Sequence, residues 1–278
     1  MLKYYYKNIG SIIMKLGFIG CGNMASAIIG GIVEKGIVSG GDINVFDVYP
    51  PACEVLKSTY GVNVLDGENG VVRSSDAVIL AVKPNILGSV LTKVNITLDE
   101  SDTLLISIAA GKDTEYMRSM LSHDNRIIRV MPNINAKVGA AVSAYTANDS
   151  ATDEDKALCE QIFSGIGNVM ELDERQFPLF GVLGGCTPAF AYMFIDALAR
   201  AGVQNGMKKD IALKIAAEAV KGSAEMMLKS GVHPGELIDM VCSPGGTTIE
   251  GVQSLKADGL ENAVNNAVNK AVDKDSKL

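Results

Sequence analysis

The sequence predicts an α/β fold for residues 14–172, a doubly wound sheet with helices on both faces, followed by an all-helical domain over 173–278. Three observations predict it. Residues 15–36, KLGFIGCGNMASAIIGGIVEKG, pass from a short apolar run through Gly20-Cys21-Gly22 into a segment with helical periodicity. Apolar runs bounded by Gly, Pro or Asn then alternate with helical patterns to about residue 171, as in sheets whose strands are joined by crossover helices. From about Asp173 onward no stretch reads as a strand.

The first element is a buried strand over Leu16 to Ile19, and Met24, Ala27, Ile28, Gly31 and Ile32 mark the helix that follows. Strand, glycine turn and helix give meaning to a G-x-G-x-x-G/A pattern, here Gly20, Gly22 and Ala25. The first glycine permits the turn, the second lets backbone approach a pyrophosphate, and the small third residue lets helix and strand pack. Phosphates then sit on unpaired N–H groups at the helix N-terminus. A second strand, residues 43–47, ends in Asp47, 22 positions after Ala25, close to the roughly 20 expected for the ribose-binding acid of a Rossmann-type domain. An acid there accepts hydrogen bonds from ribose hydroxyls and repels a 2′-phosphate, so NADH is expected over NADPH.

Pro50-Pro51 opens a helix to about Tyr60, stopped at Gly61; Val62 to Leu65 is a short strand and Asn69 to Ser75 a brief helix or turn. Ala77 to Val82 is a buried strand ending at Lys83-Pro84, with a helix over 85–93 behind it. A strand from Thr103 to Ile108 leads into Ala109-Ala110-Gly111, then a helix to about Leu121 and a strand from Arg126 to Met131 ending at Pro132-Asn133. Late strands are expected at 142–145 and 168–171 around a helix at 153–163. Ligands of such sheets bind beyond the carboxyl ends of the strands, so the loops at 20–25, 47–51, 82–85, 108–112 and 131–135 should face one crevice. The helical domain reads as helices within 176–203, at 209–230, at 234–241 and from Thr248 onward. Its apolar positions are too many for isolated helices, which predicts packing on each other or on a partner chain.

Composition excludes several classes. A net charge of −7 argues against a nucleic-acid binder, which needs clustered Lys and Arg. No uninterrupted apolar run approaches the roughly 18 residues of a membrane helix. Cys21, Cys53, Cys159, Cys186 and Cys242 are scattered without a CxxC pair, which predicts free thiols in a reducing, cytoplasmic setting. Only two histidines, His123 and His233, are present, so no metal site or Ser-His-Asp triad is expected, and the chemistry should come from a cofactor. Residues 1–13, MLKYYYKNIGSII, read as an N-terminal extension without the features of a signal peptide.

One polar, glycine-rich loop interrupts the helical domain: Cys242-Ser243-Pro244-Gly245-Gly246-Thr247-Thr248. Exposed backbone N–H groups, flanking hydroxyls and a following helix N-terminus suit a small carboxylate. The same residues also suit an ordinary capped helix start.

The whole chain from Lys15 onward resembles the pyrroline-5-carboxylate reductase family. The resemblance rests on GFIGCGNMA at 17–25, AVKP at 81–84, SIAAG at 107–111, RVMPN at 129–133 and VCSPGGTTIEG at 241–251. It implies a Rossmann domain and a helical dimerisation domain, with hydride transfer from NADH or NADPH to the cyclic imine 1-pyrroline-5-carboxylate, giving L-proline. It implies that Gly20, Gly22, Asn23, Met24 and Ala25 hold the pyrophosphate, and that Ala81, Val82, Lys83 and Pro84 line the nicotinamide end, with Ala109 and Asn133 completing the crevice. Ser243, Gly246, Thr247 and Thr248 are implied to bind the substrate carboxylate, with Thr248 also near the imine nitrogen in a catalytic role. Lys83 is expected to face solvent rather than act as a catalytic amine.

The chain departs from the family at Gly184-Gly185-Cys186-Thr187-Pro188-Ala189-Phe190, where a Ser-Gly-Ser-Gly-Pro-Ala-Tyr-like run is usual. Alternatives are a related imine or β-hydroxyacid reductase, for which Lys208, Lys209, Lys214 and Lys221 are the candidate lysines, and a non-catalytic dinucleotide sensor. The expected partners are the small-molecule substrate and a second copy of the chain, in a homodimer or higher homo-oligomer built through the C-terminal helices.

Overall fold

The computed structural model describes residues 14–275; the expected N-terminal extension lies outside the described residues. The chain divides into two compact units, one ending at Gly185 and one beginning at Cys186.

The first unit is built on an eight-stranded sheet. Its elements are β1 (Leu16–Ile19), α1 (Asn23–Glu34), β2 (Ile43–Phe46), α2 (Pro50–Tyr60), β3 (Asn63–Val64), α3 (Glu68–Arg73), β4 (Ala77–Leu80), α4 (Pro84–Asp99) and β5 (Leu104–Ser107). There follow α5 (Thr114–Ser119), β6 (Ile127–Met131), β7 (Ala141–Ala147), α6 (Asp153–Ser164), β8 (Gly167–Glu171) and the single turn α7 (Phe177–Phe180). The strand order is β3-β2-β1-β4-β5-β6-β7-β8, and every neighbouring pair is parallel except β6 with β7. Strand order reverses between β1 and β4, the place where doubly wound sheets bind ligands.

Period-two alternation explains why the central strands read as unbroken apolar runs. Ala77 and Ile79 of β4 join the core cluster that contains Phe18, Ile28 and Ile32, while Val78 and Leu80 join the opposite one with Val71, Leu87 and Val94. Both faces are covered by helices, so both sets of side chains must be apolar. The register aligns Ile19 with Phe46 and with Leu80, and Leu80 with Ser107. The carboxyl ends of these four strands therefore finish level, along one edge.

Local signals set the helix ends. Pro50 and Pro51 occupy the first positions of α2, which stops at the left-handed Gly61. Thr152 and Asp155 form a reciprocal capping box on α6, and buried Asp155 also pairs with Arg126 at 2.6 Å. Helix α4 runs to Asp99, beyond the expected residue 93, because Val94 and Leu98 remain in the core.

The second unit consists of α8 (Thr187–Gln204), α9 (Lys209–Ser230), α10 (Pro234–Val241), α11 (Thr247–Ala257) and α12 (Leu260–Asp275). Helices α8 and α9 pack as a hairpin whose close approach places Gly202 against Ala212. Asp196 of α8 pairs with Lys209 of α9 at 2.8 Å. No residue of α10, α11 or α12 is buried within the chain, and Tyr192, Met193, Leu228 and Met240 are each more than half exposed. One helical stretch among the described residues, Glu174–Gln204, is long and apolar enough to cross a membrane by length and composition alone.

Candidate functional site

The level strand ends place most of the expected cofactor residues along one edge of the first unit. Gly20, Gly22, Asn23, Met24 and Ala25 follow β1, Asp47 follows β2, Ala81 to Pro84 follow β4, Ala109 follows β5 and Asn133 follows β6. Backbone hydrogen bonds knit the edge together. Gly20 N–H donates to the Phe46 carbonyl at 2.8 Å and Ala81 N–H to the Ile19 carbonyl at 2.8 Å.

The two turn glycines are needed for different reasons. Gly20 has φ +100°, and a Cβ there would lie 2.5 Å from the Ala81 carbonyl oxygen. Gly22 has ordinary extended φ and a Cβ there would meet nothing within 4 Å. Packing within the chain thus explains Gly20 but leaves Gly22 facing open space. Gly22 is also the N-cap of α1, and no side chain caps that helix. Its first N–H groups point outward without a capping acceptor, which fits a pyrophosphate. Ala25 is buried against the strand side of the helix.

Asp47 accepts hydrogen bonds from the N–H groups of Cys21 at 2.6 Å and Tyr49 at 2.8 Å, one to each carboxylate oxygen. Two further acceptor directions remain on the carboxylate. Lys83 is exposed, serves as the N-cap of α4 and makes no ion pair among the described residues. Ala109 is buried, and its N–H is bound by the Ser107 hydroxyl at 3.3 Å. Asn133 is buried; its Nδ2 donates to the Gly184 carbonyl at 2.9 Å, leaving Oδ1 without a partner.

In the second unit Ser243, Gly246, Thr247 and Thr248 come together in one turn. Pro244 and Gly245 (φ +67°) occupy its centre and Gly246 N–H closes it on the Ser243 carbonyl at 3.0 Å, the layout of a type II turn. A Cβ on Gly246 would lie 2.4 Å from the Ser243 hydroxyl oxygen, so a larger residue there would displace that hydroxyl. Gly246 is the N-cap of α11, with no side-chain cap. The alternative of a helix start capped by a Ser or Thr hydroxyl does not occur. The Ser243, Thr247 and Thr248 hydroxyls project from exposed residues beside an uncapped helix N-terminus.

Residues 174–278 match the family described as pyrroline-5-carboxylate reductase dimerisation, and residues 15–111 match NADP oxidoreductase coenzyme F420-dependent. A pyrroline-5-carboxylate reductase of Escherichia coli is 43% identical over 265 residues, covering 95% of this chain and 98% of the relative. The chain belongs to the pyrroline-5-carboxylate reductase family. A solved reductase of this family from Coxiella burnetii superposes with a TM-score of 0.91 at 30% identity, covering 95% of this chain and 98% of the other. One from Plasmodium falciparum, solved with NADP bound, gives 0.81 at 33% identity over 94% and 97%.

The family match begins at 174, near the expected boundary, whereas the compact units divide at 185/186. The intervening residues include α7 and a π-helical turn, Gly181–Cys186. This turn contains the start of the segment that departs from the family pattern, and Asn133 holds its Gly184 carbonyl. Sequence reading missed this link and a buried network beside it. Arg129 of β6 pairs with Glu174 at 3.1 Å and stacks over the Phe177 ring, while Glu174 also accepts from the N–H and hydroxyl of Thr114. The available signal was an arginine inside an apolar strand, which must find an acid. Of the four lysines of the β-hydroxyacid alternative, Lys209 and Lys221 are paired with Asp196 and Glu218, and the family to which the chain belongs is a different one.

Proposed function

We propose that the edge running from Gly20 to Asn133 holds NADH and that the 243–248 turn holds the carboxylate of 1-pyrroline-5-carboxylate. The reaction is that of the family, reduction of the C=N bond with NAD(P)H to give L-proline. The observation that carries the reading is where two uncapped, glycine-headed helix N-termini lie: Gly22 directly after β1 on the edge of level strand ends, and Gly246 closing the turn that bears the Ser243, Thr247 and Thr248 hydroxyls. Each offers backbone N–H groups and a positive dipole end to an anion.

Reduced nicotinamide supplies the hydride. The chain's residues bind and orient. Gly20 to Ala25 take the pyrophosphate, Asp47 takes the adenosine ribose hydroxyls, and Ala81 to Pro84 with Ala109 and Asn133 shape the nicotinamide end. Ser243, Gly246, Thr247 and Thr248 bind the carboxylate. The Thr248 hydroxyl holds a proton at the imine nitrogen, keeping the adjacent carbon electrophilic. Orientation accounts for much of the rate in such a site, and no strong side-chain acid is needed.

The preference for NADH follows from Asp47, whose charge opposes a 2′-phosphate. The exposed apolar faces of the C-terminal helices form a homodimer or larger homo-oligomer. The Glu174–Gln204 stretch is assigned to contact between copies rather than to lipid, since it lies within residues 174–278 matched to the dimerisation family. The five free cysteines suit a cytoplasmic setting.

The test is oxidation of NADH and NADPH, side by side, by purified protein with 1-pyrroline-5-carboxylate, together with sedimentation. Turnover with a higher kcat/KM for NADH is expected, from an oligomer. A higher kcat/KM for NADPH would overturn the cofactor preference, an active monomer would overturn the assembly, and no turnover would overturn the reading as a whole.

A further inference from the structure

The turn after β1 carries a feature that dinucleotide binding does not use. Cys21, between the two turn glycines, and Cys53, one turn into α2, place their sulfurs 3.4 Å apart. Both side chains are buried, at 3% and 1% exposure. Burial first, then the contact with Cys53 and the nearby charge of Asp47, push the Cys21 thiol pKa up. Cys21 is therefore unreactive at rest, because thiolate is the attacking species. Oxidation is confined to moments when the turn opens.

We propose that Cys21 and Cys53 form a redox-modification site, oxidised by hydrogen peroxide to a disulfide that draws the glycine turn away from its cofactor. The consequence for the cofactor rests on the reading that this turn holds NADH. In the first step a thiolate of the pair attacks a peroxide oxygen. The O–O bond breaks, the sulfur becomes a sulfenic acid, and the departing oxygen leaves as water with the thiol proton. In the second step the other thiol attacks that sulfur. The S–S bond forms, the S–O bond breaks, and a second water carries away the second proton. The two thiols lose two electrons and the peroxide gains them.

The geometry says what the bond does. A disulfide holds its sulfurs about 2.05 Å apart, so closing the present 3.4 Å gap draws the sulfurs together by about 1.4 Å. Gly20 is pinned against the Ala81 carbonyl and by its bond to Phe46, so the turn yields on the Gly22 side. Cys21 N–H also donates to Asp47. The same displacement therefore disturbs both the phosphate turn and the acid expected to hold ribose.

Reduced protein treated with limiting hydrogen peroxide tests this, using non-reducing peptide mapping and NADH titration before treatment, after it, and after dithiothreitol. A Cys21–Cys53 linked peptide is expected, with NADH binding about tenfold weaker or worse and restored by dithiothreitol. Cys53→Val, with Cys53→Ala as a second variant in case the larger side chain disturbs folding, should keep reduced activity and NADH binding after peroxide. The proposal is overturned by absence of the linked peptide when other thiols have oxidised, or by a linked protein with unchanged NADH affinity. Equal loss in the Cys53 variants also overturns it, because the loss then does not need the disulfide. Reduced protein that binds no NADH removes the cofactor reading and the gate with it, while the linked peptide still reports on the bond itself.

Discussion

The carboxylate of Asp47 accepts the backbone N–H of Cys21 at 2.6 Å across the gap between the ends of β2 and β1. Its other oxygen accepts the N–H of Tyr49 at 2.8 Å. The residue assigned to the cofactor ribose thus also braces the turn assigned to the pyrophosphate. The two roles differ chemically: bracing needs an acceptor atom, whereas rejection of a 2′-phosphate needs a negative charge.

Asp47→Asn and Asp47→Ser separate those roles. Asparagine keeps a side-chain carbonyl for Cys21 N–H but loses the charge and the acceptor for the exposed Tyr49 N–H, so Asp47→Asn should fold with a modest loss of stability and lose discrimination between NADH and NADPH. Serine is too short to brace the turn. Asp47→Ser should lower kcat/KM for NADH by about tenfold, roughly the 1.4 kcal/mol of one charge-assisted hydrogen bond, and also lower the melting temperature. Steady-state kinetics with both cofactors and thermal unfolding decide it.

The turn glycines should respond in opposite ways. Gly20→Ala forces a side chain into a left-handed conformation and against the Ala81 carbonyl, and should cost about 2 kcal/mol or more of stability. A Cβ at Gly22 meets nothing within 4 Å, so Gly22→Val should melt close to wild type, losing only the preference for glycine over valine at an N-cap, while NADH affinity falls by about tenfold or more. Denaturant unfolding and NADH titration on the two variants test the contrast. A destabilised Gly22→Val would show that this glycine serves the fold.

Most of the first unit was legible because its strands are buried on both faces. Runs such as Ala77-Val78-Ile79-Leu80 admit few readings when bounded by turn residues. The direction of β7 was not legible: it runs antiparallel to β6 because the 3₁₀ turn Ile134–Val138 reverses the chain, and apolar alternation is blind to strand direction. Most boundaries moved by a residue or two, as with Asp47 lying just past β2, while α4 runs on from the expected residue 93 to Asp99. Side-chain partners distant in sequence could not be read at all. Arg129 finds Glu174 45 positions away and Cys21 meets Cys53 32 positions away, contacts that exist only after the sheet and its helices are packed. Local patterns pointed to the Gly20-Gly22-Ala25 turn and Asp47 and left the 243–248 loop open; the roles expected of Ala81 to Pro84, Ala109 and Asn133 came from the resemblance to the family, and what braces the turn was not legible.

Thr248 should separate binding from chemistry. Its side chain is exposed at the second position of α11 and is not used to cap the helix, so Thr248→Ala should leave the fold and NADH affinity intact. Turnover should fall by about a hundredfold, the lower end of the range for a group that positions a proton. An unchanged kcat would remove Thr248 from the mechanism.

Acid should weaken the helical unit through Asp196. Its hydrogen bond to Lys209, then that to Arg200, holds its carboxyl below its ordinary value of 3.8. A carboxyl lowered on folding stabilises above its unfolded value and loses that contribution as pH falls through the folded one. Wild type should therefore be more resistant to urea than Asp196→Asn at neutral pH, with the difference shrinking below 3.8. The effect is small because the pair is exposed. A difference that persists in acid would show that packing, not charge, holds α8 to α9.

Glu174 is the most consequential residue outside the candidate site. It is the acceptor for Arg129, whose side chain is only 9% exposed, and for both the N–H and the hydroxyl of Thr114. Glu174→Ala leaves a buried guanidinium facing Phe177 without a counter-charge, which should cost about 3 kcal/mol. Arg129→Leu combined with Glu174→Leu removes both charges and should be less destabilised than Glu174→Ala alone, because no unpaired ion remains. Chemical unfolding of the single and double variants measures this. A double variant worse than the single one would mean that the ion pair itself, rather than the avoidance of a lone charge, holds α7 and the π-helical turn against the sheet.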